Sequence, residues 1–172
     1  MKRPSILVPF TAMLLAAAIS LPANGASKYK PCSLLTPAEV EVVLGSKVIK
    51  TDEGDGLYKG QTMSSCNWTT GAKVSAILTV TSGSGSPEAV WSAESRKLFD
   101  YYRAKGWTID YANTRGAVCA RGVPPAGDAS SPAFAACLAE SKGLSLSLNV
   151  VSPTVTALQV KGLFDKAVAR LH

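Results

Sequence analysis

The sequence predicts an α+β domain in which an antiparallel sheet carries three helices and two disulfides staple the fold. Three observations predict it. Hydroxyl–proline pairs at Thr36-Pro37, Ser86-Pro87 and Ser152-Pro153 announce helices. Serine or threonine caps free amides there, and proline suits the first helical position, where no donor is needed. Between these starts the hydrophobic period drops to two. Leu144, Leu146, Leu148 and Val150 alternate with Ser145, Ser147 and Asn149, the pattern of a strand with one covered face. Finally, the four cysteines are an even set, which in an oxidising compartment reads as disulfides.

The chain opens on an export signal. Lys2 and Arg3 precede an uncharged run from Ile6 to Leu21, broken only by Pro9, Thr11 and Ser20, and Pro22 then stops any helix. Ala23-Asn24-Gly25 is a small-x-small cleavage pattern, so residues 1–25 are expected to be removed and 26–172 to form one domain. The run is shorter than the ~20 residues a spanning helix needs, and no later run in the mature chain is long enough. Removing 25 of 172 residues leaves 147; two of 18 basic residues go with them, so the net charge falls from +6 to +4. The expected location is periplasmic or secreted.

The first helix starts at Thr36. Glu39 completes a capping box, Leu35 and Val40 stand at the staple positions, and Gly45 ends it. The second runs from Ser86-Pro87 to about Lys105, with Trp91, Leu98 and Tyr102 on its buried stripe and Arg96, Asp100 and Arg103 opposite, and Gly106 stops it. The third starts at Ser152-Pro153, and Ala157, Val160, Phe164, Val168 and Leu171 recur at helical spacing. Strands are expected at 46–51, 64–69, 73–81, 116–121, 133–141 and 144–150, with turns at Thr70-Gly71-Ala72 and Lys142-Gly143. The order reads as a degenerate helix–strand–strand–strand repeat. The segments 52–62 and 123–132 read as loops, the second rich in proline.

The four cysteines allow three pairings. Cys32–Cys66 with Cys119–Cys137 is favoured because each bond then closes a loop within one half of the chain. Loops of 34 and 18 residues contribute roughly 3–4 kcal/mol each on the chain-entropy model. A metal or redox role lacks any Cys-x-x-Cys pair.

The run Pro31-Cys32-Ser33-Leu34-Leu35-Thr36-Pro37-Ala38-Glu39-Val40, with Leu44-Gly45 and the later Cys66-Asn67-Trp68, resembles a family of small exported bacterial domains of unknown function, many of them actinobacterial lipoproteins. The resemblance implies an α+β domain with a disulfide from the first helix to a strand. It brings no catalytic residues. Tyr29-Lys30-Pro31 before Cys32 lacks the small apolar residues of a lipidation site, so this chain departs from the lipoprotein members.

Chemistry-bearing patterns are sparse. The lone histidine is His172, which argues against histidine triads and most zinc sites. There is no nucleophile elbow, and Gly83-Ser84-Gly85-Ser86 lacks phosphate-loop spacing. Asp52-Glu53-Gly54-Asp55-Gly56 lacks the ligand spacing of a calcium loop and reads as a solvated turn. The scattered basic residues give no nucleic-acid patch. No catalytic residue, metal or cofactor is expected, and the balance leans against an enzyme. The expectation is an envelope binding or accessory protein, its partner an unidentified envelope protein or polymer. Tyr101, Trp107, Pro124 and Pro125 are the candidate contact residues. The alternatives are an inhibitor docking its 123–132 loop on a partner, and a carboxylate- or calcium-dependent enzyme using Asp52–Asp55.

Overall fold

The structure, a computed structural model, describes residues 29–171 except 59–60, 72–73, 83–96, 115–116, 129–130 and 142. The export signal, the start of the second predicted helix and Trp91 therefore lie outside the described residues. Seven antiparallel strands form one sheet in the order β1-β2-β3-β7-β6-β5-β4. They are β1 Val48–Tyr58, β2 Gln61–Thr70, β3 Ser75–Ser82, β4 Thr108–Thr114, β5 Ala117–Val123, β6 Phe134–Ser141 and β7 Leu144–Val151. The helices are α1 Pro31–Leu34, α2 Pro37–Leu44 and α4 Ala157–Ala169, with α3 over residues 97–104.

One row of residues crosses the whole sheet and explains its core. Glu53, Cys66, Leu78, Leu148, Cys137, Cys119 and Ala112 stand opposite one another strand by strand. Both disulfides lie in that row. Cys119–Cys137 joins directly opposed residues of β5 and β6, with Cα atoms 4.1 Å apart, and Cys32–Cys66 ties α1 to β2. The favoured pairing of the four cysteines is the observed one. Side chains alternate across a strand, so the neighbouring row on this face holds Trp68, Ala76, Val150 and Ala135, all fully buried. Leu35, Val40 and Leu44 from the start of the chain cover it, and Val160, Leu163, Phe164 and Ala167 from α4 complete the same cluster.

Local chemistry sets the ends of α2 as expected. The Thr36 hydroxyl accepts from the Glu39 amide, the Glu39 carboxylate accepts from the Thr36 amide, and Gly45 closes the helix at φ 66°. That left-handed conformation is easy only for glycine. The last helix begins later than expected. Ser152 is buried, residues 153–154 turn, and Thr156 with Gln159 makes a second capping box four residues on. The later threonine wins because β7 pairs through Val151 and the Ser152 amide still donates to the Ala133 carbonyl.

Among the described residues there are four helices rather than three, and they occupy both faces of the sheet. The aromatic contacts of α3 with Phe134 and Tyr111 place it opposite the disulfide face. The second half has four strands after its helix and the first has three, so the repeat is not reproduced. Three local expectations also change. The acidic segment 52–58 is strand rather than loop, because β2 pairs with it residue by residue down to Tyr58; partner backbone overrides the weak strand propensity of Asp and Gly. β4 was not expected at all. On β7, Ser145 and Ser147 are buried although the alternation pointed them to solvent.

Candidate functional surface

Of the four predicted contact residues, Tyr101, Trp107 and Pro125 gather at one corner of the sheet, and Pro124 precedes Pro125 in the chain. The C-terminus of α3 builds the corner. Gly106 has φ 83°, its amide donates to the Arg103 carbonyl, and the Trp107 amide donates to the Tyr102 carbonyl. This pair of bonds is a Schellman motif, which brings the residue after the glycine against the residue three positions before the helix cap. Here those residues are Trp107 and Tyr102, and their rings lie 4.8 Å apart. The motif therefore reverses the chain into β4 and clusters two aromatic rings in one step.

Phe134 of β6 closes the cluster, with its ring 5.5 Å from Tyr102 and 5.7 Å from Trp107. Phe134 sits opposite Gly122 in the β5–β6 register. A Cβ on Gly122 would fall 2.4 Å from the Phe134 ring, so the glycine is what lets the ring lie down on the sheet. Pro125 packs beside Gly106, 3.6 Å from where its Cβ would be. The Asp128 amide donates to the Pro125 carbonyl at 3.1 Å, and Gly127 has φ 95°, which makes 125–128 a type II turn. The Asp128 carboxylate accepts from the Ser131 amide. The described part of the 123–132 segment is thus an ordered turn with exposed Ala126 and Gly127 at its tip.

Tyr101 is the exposed member, at 56%, and lies 5.8 Å from Tyr102 with the Lys105 ammonium 5.8 Å above its ring. Trp107, Pro124 and Pro125 are half-buried. A second cation stands nearby. Arg103 lies over Tyr111, donates to its hydroxyl at 3.0 Å and pairs with Asp100 at 3.2 Å. The expected Asp100–Arg103 pairing is therefore present, whereas Leu98, expected in the buried stripe, is 49% exposed. Tyr102, Phe134 and Tyr111 were not among the sequence candidates. The spacing of Tyr102 and Trp107 about the helix-stopping Gly106 carried a signal for the first; the other two depend on strand pairing.

The arrangement offers aromatic faces, two cations and a hydrogen-bonded turn, groups that make stacking and cation–π contacts. The acidic run is not gathered into a ligand set. Asp52 stands opposite Asn67 on one face, while Glu53 and Asp55 stand opposite Cys66 and Ser64 on the other. Among the described residues no group of three or more His, Cys, Asp or Glu is placed to hold a metal. The Glu39 carboxyl is held far below its ordinary 4.5, first by the hydrogen bonds from Arg170 and then by the Thr36 amide. Its partners all belong to helix ends, so that shift serves the fold. No described helix is long and apolar enough to cross a membrane.

No protein-family model matches the chain, and no curated protein is similar to it. Among solved structures, the extracellular domain of PknH from Mycobacterium tuberculosis is similar over 85% of this chain and 98% of that one. The TM-score is 0.59 and the sequence identity 11%; at that identity the likeness is one of fold.

Proposed function

We propose that the mature chain is an exported, non-enzymatic binding or accessory protein of the bacterial cell envelope. Its contact surface is the aromatic corner of Tyr101, Trp107, Pro124 and Pro125. The observation that carries this reading is the convergence of those residues, with Lys105 over Tyr101. Two disulfides support an oxidising location, and so does the resemblance of residues 31–45 and 66–68 to small exported bacterial domains. A fold shared with an extracellular domain is in keeping with it. The partner is an envelope protein or polymer. To test this, mature protein and a Tyr101→Ala/Lys105→Ala variant are compared for retention on immobilised envelope extract. The variant should lose most retention while its melting temperature holds; equal retention would overturn the assignment of the surface.

A second reading has its own observation. The ordered turn at 125–128 presents Ala126 and Gly127 outward, as an inhibitor loop docking on a partner enzyme would. Shortening that turn should then abolish partner binding while the melting temperature shows the fold intact. Unchanged partner binding would exclude it.

A further inference from the structure

The two edges of the sheet are built differently. β1 carries four charged side chains in eleven residues, Lys50, Asp52, Glu53 and Asp55. Three of these are carboxylates within four positions, so antiparallel pairing of β1 with its own copy sets carboxylates beside carboxylates. Charges of this kind are how natural sheets blunt an edge. β4 has one charged residue in seven, Asp110. Among the described residues no strand pairs with its outer side. Tyr111, at its centre, is 43% exposed.

From this contrast we infer that β4 pairs with β4 of a second copy of this chain, antiparallel and centred on Tyr111, joining two seven-stranded sheets. The sequence of β4 suits that register. Asp110 falls opposite Ala112 of the second copy, Ile109 opposite Asn113 and Thr108 opposite Thr114, so no like charges stand directly opposite one another. Tyr111 meets Tyr111, and cross-strand aromatic pairs are favourable. The helix above the edge is self-complementary as well. Arg103 lies over Tyr111 and pairs with Asp100 on the same helix. A two-fold axis through Tyr111 brings this couple against its own copy, where Arg103 of each meets Asp100 of the other. An isologous contact of this kind closes at two copies and forms no fibre.

The test is sedimentation equilibrium of the mature protein over a wide concentration range, with amide exchange of residues 108–114 followed in parallel. The expected result is a monomer–dimer equilibrium, with exchange in 108–114 slowing as the dimer fills. Arg103→Asp places four carboxylates at the joint and should weaken the dimer by about tenfold or more. The charge swap Asp100→Arg/Arg103→Asp should restore it. Tyr111→Lys, with its fold checked by circular dichroism, should dissociate it as well. A monomer at every concentration would overturn the inference. So would a dimer that is insensitive to these variants, or one that leaves exchange in 108–114 unchanged.

Discussion

Glu39 joins the two ends of the chain, and its removal is the sharpest test of how this fold is closed. Its carboxylate accepts from Arg170 Nη1 at 2.7 Å and Nη2 at 2.9 Å, while Lys166 Nζ stands 3.4 Å away. It also accepts from the Thr36 amide at 3.0 Å and the Thr36 hydroxyl at 3.1 Å. Arg170 meanwhile donates to the Leu34 carbonyl at 3.0 Å. The pair thus locks α1, α2 and α4 together. An exposed ion pair contributes about 0.2–1 kcal/mol. A bidentate guanidinium–carboxylate pair is roughly twice as strong per bond, and the Glu39 side chain is only 18% exposed. An E39Q/R170M double-mutant cycle should therefore show a favourable coupling at neutral pH, larger than that of a single-bonded surface pair. Glu39→Gln alone should cost about 2–3 kcal/mol, since the cap bonds weaken too. The sign with pH follows from the lowered folded pKa. The contribution is full above the unfolded value near 4.5 and is lost as pH falls toward the folded value. Urea unfolding at pH 7 and pH 3 measures both effects. The gap between wild type and Glu39→Gln should narrow at the lower pH. An absent coupling, or a gap that does not narrow, would show that the Glu39–Arg170 pair does not hold these helices together.

Three further outcomes are expected. Loops of 34 and 18 residues make the double Cys→Ser variants at Cys32/Cys66 and Cys119/Cys137 lose roughly 3.8 and 3.2 kcal/mol. The first should lower the melting temperature more, because it also frees α1 from β2. Trp68 is fully buried and its indole N–H has no partner among the described residues. Trp68→Ala should cost about 3–5 kcal/mol, whereas Trp68→Phe should cost about 1.5 kcal/mol or less, as denaturant midpoints will show. Gly122→Ala pushes a methyl into the Phe134 ring. It should destabilise by about 1–3 kcal/mol and alter the near-ultraviolet dichroism of the Tyr102–Trp107–Phe134 cluster.

About half of the candidate surface was legible in the chain. Tyr101 and Trp107 stand on either side of a glycine that stops a helix, and two prolines mark an exposed turn. What joins them is non-local. Pro125 reaches Gly106, and Phe134 reaches Tyr102, only because β4, β5 and β6 are neighbours in the sheet. Periodicity could not find β4, since Thr108–Thr114 mixes polar and apolar residues without a clean alternation.

Whatever depends on a few neighbouring residues is written along the chain. Thr36, Glu39 and Gly45 specify α2 through their own hydrogen bonds and one left-handed turn. Val74, Ala76, Leu78 and Val80 face the core because side chains alternate. The cysteines divide between the two halves, so each bond closes a short loop. Packing between elements settled what depends on a distant partner. It extended β1 through Asp52-Glu53-Gly54-Asp55, because β2 supplies the hydrogen bonds those residues do not favour alone. It set the start of α4 at Thr156 and put α3 on the face opposite the disulfides. It also left β4 as the weakly charged edge. A residue's own conformational preference is worth a few tenths of a kcal/mol to about 1 kcal/mol, and a paired strand or a buried ring outweighs it.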